Sequence, residues 1–154
     1  MSDTTTQSVQ EVFCEVLASL AFMFGDPATP QDLPPMGEPA MMATIGFRGP
    51  TAGNLTLLAP RSLAQELAAN ILGIEPDEDA AGEQASDALG ELMNVTLGRL
   101  LTTISGDAPV FDLTPPQVSD ANDEQWQQFV EAGDAVAVLI EDKPVLLRFT
   151  LDGQ

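Results

Sequence analysis

The sequence predicts an α+β fold, a single domain in which two or three helices cover an antiparallel β-sheet. Apolar residues recur at helical spacing in three stretches, which predicts three amphipathic helices. Two pairs of short apolar stretches are each joined by turn-forming residues, and this pattern is typical of β-hairpins. The chain of 154 residues has the length of one ordinary domain, which is long enough to bury a substantial core.

The N-terminal part of the chain is predicted to form one helix followed by one loop. Residues 1–8 are polar and are expected to be disordered, within a single domain that spans residues 1–154. From Val9 to Phe24 the apolar residues recur at helical spacing, and residues 25–27 (Gly-Asp-Pro) end the helix. Residues 28–39 are rich in proline, so we expect a loop inside the domain.

The middle of the chain is predicted to form a hairpin and two helices, whose ends are marked by glycine, proline or serine. These elements are strands over residues 41–47 and 54–58, a turn at 48–53, a helix over 61–72 capped by Gly73, and a long helix over 82–104 ended by Ser105-Gly106. The acidic segment 75–79 connects the two helices.

Part of the acidic segment resembles a calcium-binding loop. The first, third and sixth positions of such a loop are occupied by Asp77, Asp79 and Gly82. The fifth and twelfth positions, which normally supply oxygen ligands, are both alanine. The sequence therefore argues against a calcium site here.

The C-terminal part of the chain is predicted to contain one short strand and a second hairpin. The short strand covers residues 110–113 and runs into Thr114-Pro115-Pro116. Residues 120–131 are compatible with a short helix or with a loop, and in both cases Trp126 is expected to be a packing anchor. The hairpin consists of strands over residues 135–140 and 145–151 with a turn at 141–144.

The charge balance excludes a nucleic-acid binder. Five basic residues against 24 acidic ones give a net charge of −19, whereas a nucleic-acid interface needs basic residues to neutralise phosphates. The same charge disfavours binding to anionic membrane surfaces, and we interpret it as a solubility feature. The longest nearly apolar stretch, Val16 to Phe24, is shorter than the ~20 residues of a membrane helix, and the N-terminus lacks a secretory signal. We therefore expect a cytoplasmic protein.

The chain contains no histidine and a single cysteine, Cys14. Without histidine, Ser-His and Cys-His catalysis and histidine-bearing metal sites are excluded. One cysteine cannot form an internal disulfide, which is typical of a reducing compartment. The apolar neighbours of Cys14 indicate a core thiol rather than a nucleophile.

One face of the predicted long helix carries a polar stripe, which we call the ridge. It consists of Asp87, Glu91, Asn94 and Gly98. At about 100° per residue, these four positions lie within roughly 60° of arc, one above another. The opposite side of the helix carries apolar residues, namely Leu89, Leu92, Met93, Leu97, Leu100 and Ile104. The ridge is therefore predicted to face outwards.

The composition of the ridge differs from that of a stripe selected only for solubility. An exposed polar stripe is normal on a surface helix, but Asn94 is a poor residue in mid-helix because its amide competes for backbone hydrogen bonds. Gly98 and the nearby Gly90 each cost roughly 1 kcal/mol relative to alanine. A glycine beside a carboxylate and a carboxamide indicates a face that another molecule's backbone approaches closely. The residues alone leave the chemistry of that face open.

The segment 87–98 (DALGELMNVTLG) resembles the signature of the CheC/CheX/FliY phosphatase family. That signature is an acid or serine, three residues, Glu, two residues, Asn and, after a long spacer, a proline. Here 21 residues separate Asn94 from Pro116. The predicted hairpin and helix over residues 45–73 resemble the preceding half of the family's fold, so the resemblance covers roughly residues 40–150 and implies a CheC/CheX-like domain.

The resemblance is to the CheX type of this family. CheC carries two such motifs and CheX carries one. In the first predicted helix, neither Glu11 nor Glu15 is followed by asparagine at the required distance. One site therefore remains in this chain.

The resemblance implies a phosphatase that accelerates hydrolysis of the aspartyl phosphate of a CheY-type response regulator. In this family the helix enters the active-site cleft of phosphorylated CheY. The implied catalytic residues are Asn94, which orients the attacking water, and Glu91, which pairs with the regulator's active-site lysine. The implied partner-binding residues are Asp87, at the rim of the contact, and Gly98, which allows close approach.

The resemblance also implies the partners and cofactors. The chain is expected to hold no cofactor or metal of its own, and Mg²⁺ is expected to be held by the response regulator. Members of the CheX type are dimers, so we expect a homodimer, with the C-terminal strands as candidate edges for pairing.

An alternative function is a non-catalytic docking or oligomerisation module of a chemotaxis or flagellar-switch complex, because a fold does not dictate a function. The presence of both Glu91 and Asn94 favours catalysis over this alternative. A third reading, an acidic domain that binds a small molecule or a cation, is supported by no cluster of ligands in the sequence.

Overall fold

The structure is a computed structural model that describes residues 3–106 and 110–152. The helices over these ranges are α1 (Asp3–Ala21), α2 (Arg61–Leu72), α3 (Asp79–Glu83), α4 (Ala85–Ser105) and α5 (Asp123–Glu131). The strands are β1 (Asp26–Ala28), β2 (Ala40–Arg48), β3 (Gly53–Pro60), β4 (Asp112–Leu113), β5 (Gln117–Ala121), β6 (Val136–Ile140) and β7 (Lys143–Leu151). None of these helices combines the length and the apolar character that crossing a bilayer requires.

The strands form one antiparallel sheet. Their order is β1-β6-β7-β3-β2, and both β4 and β5 pair with the outer edge of β2. In the β2–β3 hairpin Thr44 lies opposite Thr56, and in the β3–β7 pair Leu57 lies opposite Leu147. The predicted α+β class, with helices covering an antiparallel sheet, is therefore confirmed, and so are both predicted hairpins.

The main core lies between one face of the sheet and the helices α1, α2 and α4. Successive side chains of a strand point to opposite faces, so alternate residues such as Ile45, Leu55 and Leu147 are buried on this face. Phe47 and Phe149 stack within it, with their ring centroids 5.6 Å apart. Because α4 packs against α1, α2 and the sheet, one side of α4 is fixed inwards and the other outwards.

A smaller core lies on the opposite face of the sheet. Leu58, Ala137 and Leu146 are buried there. Trp126 and Phe129 of α5 pack against them, together with part of the proline-rich loop. The prediction that Trp126 is a packing anchor is confirmed.

A capping box begins α5. The side chain of Asn122 accepts a hydrogen bond from the backbone N–H of Gln125 at 2.9 Å, and the Asn122 backbone N–H donates to the Gln125 side chain at 2.9 Å. Two N–H groups that a helix start would leave unpaired are thereby satisfied. Of the two possibilities left open by the sequence for this segment, the structure has the helix.

Helix α1 differs from its prediction at both ends. It begins at Asp3, so its bounds include residues 3–8, for which the sequence predicts disorder; residues 1–2 lie outside the described residues. The helix ends at Ala21 because Phe22 has a φ of 56°, which a right-handed helix does not accommodate. Phe24, predicted to belong to the apolar face, is exposed beyond the helix end.

The predicted long helix over residues 82–104 is two helices. Gln84, with φ −96° and ψ 3°, separates α3 from α4. The whole ridge lies in the uninterrupted helix α4. Ile104, which the sequence assigns to the apolar face, is 45% exposed because the core ends before the last turn of α4.

The C-terminal strands lie inside the sheet, which corrects the prediction that they are edges for dimer pairing. β7 lies between β6 and β3, and β6 lies between β1 and β7. The strand that covers β6 is β1, a three-residue strand that pairs Pro27 with Val138. The sequence did not predict this strand, because Gly-Asp-Pro reads locally as a helix stop.

Candidate functional site

Helix α4 places the central residues of the ridge on the outside of the molecule. Its inward side carries Leu89, Met93 and Leu97, which are at most 2% exposed. Glu91 and Asn94 are both exposed. Residues three apart on a helix are surface neighbours, with Cβ atoms about 5–6 Å apart. The prediction that both side chains project outwards side by side is confirmed.

The two ends of the ridge differ in character. Asp87 is exposed in the first turn of α4, where a carboxylate interacts favourably with the helix dipole. Gly98 is half-exposed, and a Cβ atom placed on it would have no neighbour within 4 Å among residues 3–106 and 110–152. The packing of this chain therefore does not require glycine at position 98. The space beside Gly98 is open to another molecule.

A cleft of about 640 Å³ runs along one side of the ridge. One wall is the ridge itself, from Asp87 to Asn94. The other wall, which we call the proline wall, is the segment 113–116, from the last residue of β4 to the residue before β5, together with Val118. The proline of the resemblance, Pro116, thus lies across the cleft from the two candidate catalytic side chains.

The proline wall is held on the edge of β2 by Thr114. The backbone N–H of Thr114 donates to the carbonyl oxygen of Gly46 at 2.9 Å. In return, the Gly46 N–H donates to Thr114 Oγ1 at 2.8 Å. Pro115 and Pro116 have no N–H group with which to continue the pairing. The two prolines therefore interrupt the edge between β4 and β5.

Gly90 allows this wall to approach α4 closely. A Cβ atom on Gly90 would lie 3.1 Å from Cγ of Pro116, which is tighter than an ordinary contact. Gly90 is buried, unlike Gly98. Both glycines carry a cost in a helix interior, and for Gly90 that cost is explained by packing within the chain, against Pro116.

The polar side chains of the ridge have no pairing partner among the described residues. Between described residues, Asp87, Glu91 and Asn94 make no side-chain hydrogen bond and no ion pair. The described ion pairs join Arg61 to Asp120, Lys143 to Glu66, and Arg148 to Asp134. No Lys or Arg in the described ranges lines the cleft. The site presents two carboxylates and a carboxamide, which suit a partner with a cationic group.

Cys14 lies on α1, half-buried beside the main core. Burial raises the pKa of its thiol, and the nearby carboxylates of Asp26 and Glu15 raise it further. The thiol is therefore protonated at neutral pH, in agreement with the interpretation that it is not a nucleophile.

Residues 3–106 and 110–152 contain no group of three or more Asp, Glu, His or Cys side chains arranged to hold a metal ion.

Sequence reasoning missed part of the cleft lining. Ser86 and Val118 line it, and Thr114 fixes its outer wall. The positions of Thr114 and Val118 depend on β5, a strand with mostly exposed residues and no clear apolar alternation. The pair Pro115-Pro116 was the available signal, because adjacent prolines interrupt an edge strand.

The fold is similar to those of solved chemotaxis proteins. The CheX protein of Vibrio vulnificus is 17% identical with a TM-score of 0.70, and 96% of each chain is covered. The chemotaxis protein CheX of Desulfovibrio desulfuricans is 16% identical with a TM-score of 0.68, covering 97% of this chain and 99% of that one. A complex of CheX with CheY, BeF₃ and Mg²⁺ from Borrelia burgdorferi gives 17% identity and a TM-score of 0.66, with 94% and 96% covered. At these identities the likeness shows the shared fold.

The family is shown by the sequence of the domain. No curated protein sequence matches the chain. The family model described as "Chemotaxis phosphatase CheX" matches residues 41–138, which is more than half of the chain. The matched segment runs from β2 through the ridge and the proline wall to β6. The chain therefore belongs to the CheX family of chemotaxis phosphatases.

Proposed function

We propose that this chain accelerates hydrolysis of the aspartyl phosphate of a CheY-type response regulator by inserting the ridge of α4 into the regulator's active-site cleft. The observation that carries the proposal is the exposure of Glu91 and Asn94 as surface neighbours on a rigid helix, with neither side chain engaged by another described residue. A side chain that must enter another protein has to be both exposed and positioned. α4 meets both conditions because its opposite side is fixed in the core.

Asn94 supplies the chemistry in this proposal. Its carboxamide offers a donor and an acceptor on one rigid group, which allows it to hold a water molecule in line with the phosphorus atom. Phosphoryl transfer needs little covalent help from a protein, and positioning of the nucleophile contributes much of the acceleration. One amide presented from a helix is therefore sufficient, and the absence of histidine from the chain is consistent with this mechanism.

Glu91 orients the complex. The regulator's active-site lysine is the cationic group that we assign to the carboxylate of Glu91. An ion pair formed inside a closed cleft is screened by water much less than a surface pair, so it contributes strongly to the choice of partner. The exposed carboxylate of Asp87, one helical turn away, extends the same negative surface at the rim.

The metal ion belongs to the regulator in this proposal. The solved Borrelia burgdorferi complex contains CheX together with CheY, BeF₃ and Mg²⁺. We extend that pairing to this chain, with Mg²⁺ held by the regulator beside its phosphoryl group. A homodimer, implied by the resemblance, remains a prediction; the outer edge of β5 is a candidate for the pairing, because β5 pairs only with β2 among the described strands.

The experiment that tests the proposal is the rate at which a phosphorylated CheY-type regulator loses its phosphate with and without this chain. Each such regulator encoded in the same genome is phosphorylated with a small phosphodonor. We expect substoichiometric amounts of the chain to accelerate phosphate release from at least one of them over many turnovers. Spontaneous rates for all of them would contradict the proposal.

Replacement of Gly98 by alanine is expected to stabilise the free protein and to weaken the complex. Ala is favoured over Gly in a helix interior by about 1 kcal/mol, and the added Cβ has open space around it. We expect Tm to rise by about 2–3 °C. The same methyl group occupies the space that we assign to the partner's backbone, so affinity for the activated regulator should fall about fivefold or more.

Gly82→Ala in α3 is the matched control for Gly98→Ala. A Cβ on Gly82 would also find room, with its nearest neighbour 3.7 Å away, and Gly82 does not line the cleft. Thermal unfolding and calorimetric titration of both variants separate stability from binding. An affinity unchanged by Gly98→Ala would show that no partner approaches this end of the ridge.

A further inference from the structure

A second depression lies on the other side of the ridge, between α2 and α4. We call it the α2–α4 groove, and its volume is about 140 Å³. Its lining comes chiefly from Ala68, Ile71 and Leu72 of α2 and from Asp87, Ala88 and Glu91 of α4. A water molecule takes about 30 Å³ of liquid volume, so the groove has room for only a few water molecules. It can hold about one apolar side chain.

The apolar side of the groove is exposed although its backbone is well held. Ile71 is 41% exposed and Leu72 is 49% exposed, in the last turn of α2. Gly73 ends this helix in a left-handed conformation, and its N–H donates to Ala69 O at 2.8 Å. Asn70 donates from its side chain to the carbonyl oxygen of Ala21, at 2.9 Å. Ile71 and Leu72 are therefore presented on a fixed helix end rather than on a frayed one.

The ridge separates the groove from the cleft. Asp87 and Glu91 line both depressions, so the two lie side by side with only the ridge between them. A partner whose own cleft receives the ridge has a wall on each side of it. We place one wall of the partner's cleft against the proline wall of this chain, and the other against Ile71 and Leu72. When the ridge is inside the partner's cleft, the group that fills the groove therefore comes from the wall of that cleft.

The chemistry of the groove indicates which partner group fills it. Most of its lining is apolar, and the exposed carboxylates of Asp87 and Glu91 border it on the α4 side. Neither Lys nor Arg lines it in the described part of the chain. An apolar side chain with a cationic group next to it matches both features, because the apolar group is buried and the charge is paired.

We propose that the α2–α4 groove is a second docking point for the same response regulator, filled by an apolar side chain that adjoins a basic residue on the wall of the regulator's phosphorylation cleft. This inference rests on the proposed function. A side chain in the groove would add an apolar contact to an interface that is otherwise polar. Such a contact would also explain why Ile71 and Leu72 are exposed in the free protein. In protein interfaces a few well-packed residues in desolvated pockets carry most of the binding energy.

The test compares Ile71→Ser with Ile104→Ser. Ile104 is 45% exposed, close to the value for Ile71, but it lies at the far end of α4, about 20 Å along the helix axis from Glu91. Both variants lose the same exposed apolar group. Each is titrated calorimetrically with the CheY-type regulator that the wild type binds, in its BeF₃- and Mg²⁺-bound form. We expect Ile71→Ser to weaken binding about tenfold and Ile104→Ser to leave it unchanged.

Thermal unfolding of each variant shows whether it is folded. Leu72→Ser is a second variant on the α2 side of the groove. Weaker binding by a folded Ile71→Ser or Leu72→Ser, with Ile104→Ser at the wild-type value, supports the inference. If all three variants bind as tightly as the wild type and the wild type dephosphorylates the regulator, the groove is not a docking point. The phosphatase proposal is then unaffected. A wild type that binds none of the activated regulators overturns both.

Discussion

Replacement of Asn94 by alanine is expected to reduce the acceleration of aspartyl-phosphate hydrolysis by about two orders of magnitude, to near the spontaneous rate. The substitution removes the carboxamide that orients the attacking water and changes nothing in the core, because Asn94 is exposed and makes no hydrogen bond with another described residue. Alanine is also the better helix former. The free energy of unfolding should therefore be unchanged or slightly higher.

Affinity for the regulator is expected to be largely intact in Asn94→Ala, and this separates a chemical role from a docking role. Asn54→Ala is the matched control, since Asn54 is also exposed but lies on β3, outside the cleft. Hydrolysis is followed at saturating concentrations of each variant, and binding is measured to the BeF₃-bound regulator. An Asn94→Ala protein as fast as the wild type would contradict the mechanism, whatever the fold. A wild type that binds the regulator without accelerating hydrolysis would instead indicate a docking module.

Replacement of Glu91 by alanine is expected to abolish productive binding. Truncation of one partner of a buried charge pair costs about 2 kcal/mol or more, partly because the other charge is left unpaired. We therefore expect affinity for the activated regulator to fall about 30-fold or more. Inside its own cleft, the regulator's lysine would then face a ridge that keeps a carboxylate only at its rim, on Asp87. Glu91→Gln should recover part of the affinity, because its amide oxygen still accepts a hydrogen bond.

Glu11→Ala is the matched control for the loss of one negative charge. Glu11 is an exposed glutamate on α1, so its removal changes the net charge equally without touching α4. Titrations at low and high salt show whether the effect of Glu91→Ala exceeds a general electrostatic one. A Glu11→Ala protein as impaired as Glu91→Ala would mean that long-range charge, and not a specific pair at position 91, controls binding.

The ridge could be predicted from the sequence because helical periodicity is a local signal. Leu89, Met93 and Leu97 fix the inward side of α4, and the outward direction of Glu91 and Asn94 follows from the 3.6-residue repeat. The two hairpins were predictable for the same reason, since alternating apolar residues and turn residues lie next to each other in the chain.

The other wall of the cleft could not be predicted, because it depends on contacts between distant parts of the chain. Strand β5 has mostly exposed residues, and only its pairing with β2 makes it a strand. Gly90 was notable in the sequence only for its cost in a helix, and its cause lies far away in the chain, because Pro116, 26 positions later in the sequence, packs on it. A glycine within a helix indicates a close neighbour, but the sequence does not say whether that neighbour is internal.

The end of α1 shows a similar limit. Phe24 continues the apolar period of the helix, yet the left-handed backbone at Phe22 ends the helix earlier. The residues that follow form β1 against β6. Pairing of a three-residue strand with a distant partner leaves no periodic signal in the sequence, so the inner position of the C-terminal strands was missed.

The most direct test of the account compares the wild type with a Glu91→Ala/Asn94→Ala double variant as catalysts of phosphate release. Each is added in substoichiometric amounts to the phosphorylated CheY-type regulator with Mg²⁺, and inorganic phosphate is recorded over time. We expect multiple turnovers with the wild type and the spontaneous rate with the double variant, at equal thermal stability. Equal acceleration by both proteins would show that the outward face of α4 does not act on the phosphoryl group.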